Sequence, residues 1–190
     1  MNRKTLQIGE GLAVCERCHV PLVFGEKYAQ CMNKKCGLRA VGLWELNGEI
    51  CNYVRAVTKP GMQYRLQSAL DRAEQEAREQ RLEDMQKDAD TLRQLVRKEL
   101  RMEENRRRLL TLAAEIEARC AEMEGEISKP GISMAEYFTE IMPEDENADP
   151  VQARKAAVHY VKKVYVSNDR FAFESTLSEW IAQKRPRGRF

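Results

Sequence analysis

The residues of this chain best suited to chemistry are four cysteines near its start, Cys15, Cys18, Cys31 and Cys36. They fall as C-E-R-C, then twelve residues, then C-M-N-K-K-C-G. A short gap within each pair lets both thiolates of a tight turn face one ion, and two such turns make a tetrahedral four-cysteine zinc site. Soft thiolate donors favour zinc or an iron–sulfur cluster over magnesium or calcium. The competing readings are four unrelated buried thiols or two disulfides. Four cysteines close the coordination shell, so the Zn2+ is expected to be structural rather than catalytic. His19 follows Cys18 directly and could replace a cysteine as ligand; with the set already complete it reads as a turn or surface residue. Cys51 and Cys120 lie outside both pairs and read as ordinary thiols.

No other constellation reads as catalytic. The chain has two histidines, His19 and His159, so a triad has little to draw on. It contains neither G-x-x-x-x-G-K-[ST] nor G-x-G-x-x-G, the loops that cradle phosphates. The carboxylates of Glu103 and Glu104 belong to a solvated helix. No enzyme is expected.

The elements that must position the cysteines divide the 190 residues into four. Residues 1–60 read as a zinc ribbon, with short strands at 20–24 (V-P-L-V-F) and 38–44 (L-R-A-V-G-L-W) and glycines marking its turns. So small a segment buries little core, and metal would supply much of its folding free energy. Residues 62–128 read as a long helix. From Met62 to Glu124 there is no proline or glycine, and one helix of that length would span about 95 Å. Its second half carries a 3-4 apolar spacing through Leu92, Leu95, Met102, Leu109, Ala113, Ile116 and Met123, the seam of a coiled coil that wants a partner in cis or in trans. In its first half, Leu66, Leu70, Ala73 and Ala77 follow one frame and Leu82, Met85, Ala89, Leu92 and Val96 another, which implies a stutter. Residues 129–150 read as an acidic linker with a short helix. Residues 151–190 read as a helix with Val151, Val158 and Val161 inward, a β-hairpin through V-Y-V-S-N-D-R-F-A-F, a last short helix and a basic tail. The fold class is therefore α+β: a four-cysteine ribbon, a long central helix and a small C-terminal α/β unit.

Charge is segregated along this plan. Residues 1–60 hold nine Lys/Arg against five Asp/Glu, residues 129–150 one against six, and residues 151–190 nine against three. Basic ends around an acidic middle point to an anionic partner, most often nucleic acid. In the ribbon, Arg17, Lys27, Lys34, Lys35 and Arg39 are the candidate phosphate contacts. Tyr28 or Trp44 is available to stack on an unpaired base, although Trp44 reads first as a core residue. The arginines Arg106, Arg107 and Arg108 read as ion-pairing along a solvated helix face. No apolar run is long enough to span a bilayer, the opening M-N-R-K-T-L-Q is unlike a signal peptide, and metal-grouped cysteines suit a reducing cytoplasm.

The order of these parts resembles the C-terminal part of large serine recombinases. The resemblance is carried by Cys15, Cys18, Cys31 and Cys36, by the heptad segment, and by the stretch from Ala153 to Phe173. It implies a zinc ribbon that contacts DNA and a coiled-coil arm that mediates contacts between DNA-bound subunits. The family's catalytic domain, with its nucleophilic serine, has no counterpart in these residues, and the turn of the family's helical-hairpin arm is not legible. The C-x2-C…C-x4-C spacing is also similar to the single-stranded-DNA-binding ribbons of type I topoisomerases. Two functions follow. The first is a nucleic-acid-binding accessory protein with an oligomerisation arm. The second is a protein adaptor or inhibitor that grips a larger partner through its coil and ribbon.

Overall fold

A computed structural model describes residues 7–98, 103–127, 129–144 and 149–184. The fold is mixed α+β. Four short strands come first, β1 (Ala13–Cys15), β2 (Val23–Phe24), β3 (Tyr28–Gln30) and β4 (Val41–Gly42), followed by helix α1 (Leu43–Thr58). Two long helices follow, α2 (Pro60–Lys98) and α3 (Glu103–Ile127). After a 3-10 turn at Met134–Glu136 come α4 (Pro150–Tyr160), the hairpin β5 (Val161–Val166) and β6 (Phe171–Ser175), and α5 (Leu177–Lys184). No helix among the described residues is long and apolar enough to cross a membrane.

The chain forms two compact units, one from Met1–Arg65 with Ser133–Phe190 and one from Leu66–Ile132. In the first unit, β1 pairs in parallel with β5, Cys15 opposite Val166, and β5 pairs antiparallel with β6. Where the sequence separates residues 1–60 from 151–190, the structure joins them in one sheet. A second sheet of β2, β3 and β4 carries the ribbon.

Residues 43–58 form a helix where sequence reading places the end of the ribbon. Leu43, Leu46, Ile50, Cys51 and Val54 recur at helical spacing and are all buried. They pack with α4, whose inward face is Ala153, Ala156, Ala157 and Tyr160. Small alanines let the two helices approach closely, which valines would not. Val151 and Val158, expected inward, are accordingly 71% and 48% exposed. Arg154 turns its guanidinium onto the carbonyls of Ile8 and Glu10. His159 is part of the packing: its Nε2 lies 2.7 Å from the Tyr137 carbonyl, within a cluster of Tyr137, Tyr160 and Trp180 rings. The hairpin, its turn at 167–169 and a last helix beginning after Ser175 match the sequence reading; the Ser175 hydroxyl accepts the Leu177 N–H.

The second unit contains two helices in place of the single one expected over 62–128. An ion pair of 2.6 Å joins Arg93 to Glu117, and the Arg78 guanidinium donates to the Glu126 and Lys129 carbonyls. These pairings align α2 and α3 antiparallel. Leu70, Glu74, Ala89 and Val96 of α2 and Ala113 and Cys120 of α3 are the buried positions. Leu109, Ile116 and Met123 are half-buried on the same stripe of α3, as Leu92 is on α2. Leu95, in the expected seam, is 43% exposed, because the antiparallel pairing follows the frame of Ala89 and Val96. Met102 lies outside the described residues. Arg108 pairs with Glu104 at 2.8 Å, along the solvated face. The acidic stretch at 145–148 and the tail at 185–190 also lie outside them.

Candidate metal centre and nucleic-acid interface

The first cysteine pair leaves the end of β1 and turns back immediately. The His19 N–H donates to the Cys15 carbonyl at 2.8 Å, and the Cys15 N–H donates to the Val20 carbonyl at 2.9 Å. The second pair follows β3, and its turn closes with the Cys36 N–H on the Asn33 carbonyl at 3.0 Å. In both turns the residue after the second cysteine is left-handed: His19 at φ 55° and Gly37 at φ 74°. That conformation suits glycine and strains histidine. His19 thus occupies a turn position and lies edge-on to the Tyr165 ring.

The two turns bring the sulfurs of Cys15, Cys18, Cys31 and Cys36 within 4.8 Å of one another, and all four are free thiols. A tetrahedral zinc with Zn–S of about 2.3 Å needs sulfurs about 3.8 Å apart, so the donor set fits one ion. Hydrogen-bond donors face the sulfurs as thiolates require: Asn33 Nδ2 lies 3.4 Å from Cys18 Sγ and the Leu38 N–H 3.3 Å from Cys36 Sγ. The Leu38 N–H holds the Cys36 thiol below its ordinary range. Desolvation pushes Cys31 up to about 12 and also raises Cys18. Four sulfurs this close ionise together only around a cation, so binding a metal releases protons. Cys51 and Cys120 are buried elsewhere as ordinary core thiols.

The C-terminal hairpin holds this site from one side. Asn168, in the β5–β6 turn, donates to the Gly37 carbonyl at 3.2 Å and accepts the Arg39 N–H at 2.9 Å. Arg170 pairs with Glu16 at 2.7 Å, and the Glu16 N–H donates to the Val166 carbonyl. Sequence reading missed Asn168 and Arg170, because nothing local in S-N-D-R marks contacts 129 to 154 positions away in the chain.

Of the candidate phosphate contacts, Arg17 is engaged locally, donating to the Cys36 carbonyl at 2.9 Å. Lys34, Lys35 and Arg39 lie within and just after the second turn, and Lys27 lies in the β2–β3 turn; all four are exposed. Their side chains form no ion pair among the described residues. In the C-terminal part, Lys155, Lys162, Arg170 and Lys184 pair with carboxylates, whereas Lys163 is exposed and has no ion pair among the described residues. Trp44, expected in the core, is 80% exposed at the start of α1, and Tyr28 is 57% exposed.

No protein-family model matches the chain, and no curated protein matches it. Among solved structures, the crystal structure of an LSR–DNA complex, LSR denoting a large serine recombinase, is similar at a TM-score of 0.37 and 16% identity. The likeness covers 93% of this chain and 58% of that one.

Proposed function

We propose that this chain is a nucleic-acid-binding accessory protein, built on a structural zinc held by Cys15, Cys18, Cys31 and Cys36, with its helical pair as an oligomerisation arm. The observation that carries the reading is the imbalance of ion pairing. The cations of the second cysteine turn are exposed and without carboxylates, while Lys155, Lys162, Arg170 and Lys184 of the C-terminal part each meet one. Unpaired lysines and arginines fixed around a rigid turn are what a phosphate backbone needs. Zinc would act by closing the two turns, setting Lys34, Lys35 and Arg39 in place. No catalytic step is assigned to it. The reduced cysteines suit a cytoplasmic setting.

A second reading, a protein adaptor, is favoured by the arm. Leu95, Leu110 and Leu112 are 43%, 47% and 48% exposed on its outer surface, where a second copy or a larger partner could dock.

The two readings separate in one experiment. The zinc-loaded chain is titrated into labelled single-stranded and duplex probes at about 50 mM salt, with fluorescence anisotropy as readout. The nucleic-acid reading expects binding, weakened by at least about tenfold when Lys34, Lys35 and Arg39 become Ala. Absence of binding to either probe overturns it and leaves the adaptor.

A further inference from the structure

The three-stranded ribbon sheet has one buried and one open face. In β3, Ala29 is fully buried while Tyr28 and Gln30 are exposed. Tyr28 lies opposite Gly42 in the antiparallel register, and Val23 lies opposite Gln30. Directly opposed residues share a face, so Tyr28, Gln30 and Val23 stand with the missing side chain of Gly42 on the open one. The space over Gly42 is filled by Trp44, whose Nε1 lies 3.0 Å from where a Cβ would stand. The indole therefore lies on the same face as Tyr28 while remaining 80% open to solvent. Two large aromatic rings thus share the open face of the ribbon sheet, both largely exposed.

An exposed cation adjoins this face. The Leu43 N–H donates to the Lys27 carbonyl at 2.9 Å, which sets Lys27 beside the start of α1 and Trp44. Lys34, Lys35 and Arg39 are exposed in and just after the second cysteine turn, which connects β3 to β4. Glu26 and Glu45 adjoin Lys27 and Trp44 in sequence.

On these grounds we infer that the open face of the ribbon sheet, with Tyr28 and Trp44 as its two ring positions, is a stacking site for unpaired bases of single-stranded nucleic acid. This rests on the nucleic-acid reading above and adds the form of the ligand. A base offers its flat face to an aromatic ring only when no neighbouring base occupies it, which excludes the interior of a duplex. Stacking is tolerant of base identity, and Lys27 beside the rings, with the exposed cations of the second cysteine turn, complements the phosphates of the same strand. The chemistry therefore fits a short unpaired stretch rather than a particular sequence.

The test uses the full zinc-loaded chain carrying Trp180→Phe, which leaves Trp44 as the one tryptophan of the two in the sequence. Oligo(dT) and a duplex of equal length are titrated while tryptophan emission and probe anisotropy are recorded together. The inference expects oligo(dT) to quench Trp44 and the duplex to bind without comparable quenching. Trp44→Ala, and separately Tyr28→Ala, should each weaken oligo(dT) binding by roughly 5- to 150-fold with zinc content unchanged. Binding of either probe with no quenching, or with affinity indifferent to both substitutions, overturns the stacking site but leaves the nucleic-acid reading standing. Binding of neither probe overturns both. A fall in assembly mass on Trp44→Ala, with nucleic-acid affinity unchanged, overturns the inference by making the face a protein contact.

Discussion

Replacing Asn168 by Ala removes both side-chain hydrogen bonds that tie the C-terminal hairpin to the second cysteine turn, the 3.2 Å donation to Gly37 and the 2.9 Å acceptance from Arg39. Both are at exposed positions, so water replaces the lost partners and neither backbone group is left dry. At roughly 0.5–1 kcal/mol for each such bond, the loss is about 1–2 kcal/mol. If that energy holds the turn in its metal-ready shape, zinc affinity should fall by about 5- to 30-fold. The Arg170–Glu16 ion pair gives the contrasting case. It is shorter, at 2.7 Å, but the arginine side chain is 71% exposed, and an open surface pair contributes little. Asp169 is exposed in the same turn and makes no hydrogen bond among the described residues, so it serves as the control. The assay is release of zinc to an excess of a chromophoric chelator, followed in the purified full chain. The expected order of release is Asn168→Ala fastest, with Arg170→Ala and Asp169→Ala near the native rate. Asn168→Asp, which keeps the acceptor and loses the donor, should fall between. Equal rates for Asn168→Ala and Asp169→Ala would refute the claim that a residue 129 positions from Arg39 supports the metal site.

Further outcomes follow from other parts of the molecule. His19→Gly relieves a left-handed residue and should raise the melting temperature slightly, by about 1 kcal/mol of stability less the lost Tyr165 contact; elemental analysis should still give one zinc per chain, whereas loss of metal would make His19 a ligand. Gly131→Ala sets a Cβ 2.6 Å from the Glu74 carboxylate, and should loosen the helical unit more than Glu74→Gln, which keeps an acceptor for the Ile132 N–H; circular dichroism on heating checks the order. Ala113→Asp buries a charge between α2 and α3 and should cost several kcal/mol of helical stability. Leu95, Leu110 and Leu112 changed together to Asp should leave melting nearly unchanged yet lower the mass seen by light scattering; an unchanged mass argues against an oligomerisation arm.

The clustering of the four cysteines was legible in the sequence because its information is local: two pairs, each closed within one turn. The hairpin V-Y-V-S-N-D-R-F-A-F was legible for the same reason. The pairing of β1 with β5 was not, since three residues, Ala13 to Cys15, carry no signal of a partner about 150 positions away. Helix α1 was present as a 3-4 apolar pattern from Leu43 to Val54, but a ribbon drawn over residues 1–60 absorbed it. The division of the long helix was hidden because the segment holds no glycine or proline to mark a turn, so the apolar spacing ran through it unbroken. Both frames taken for a stutter, Leu66 to Ala77 and Leu82 to Val96, lie within α2. Trp44 reads first as core in the sequence, whereas register and the absent side chain of Gly42 place it outside.

The central claim is that the cysteine turns hold cations for a phosphate backbone, and salt dependence tests it most directly. Binding of the zinc-loaded chain to one probe is measured across salt concentrations, for the native sequence and for Lys34, Lys35 and Arg39 changed together to Ala. Each phosphate contact contributes roughly 0.7–0.9 to the slope of log affinity against log salt. The account predicts a steep native slope that flattens by about two to three units in the triple variant. Parallel slopes, with affinity lowered or not, would contradict it, because those side chains would then not be the ones that meet phosphate.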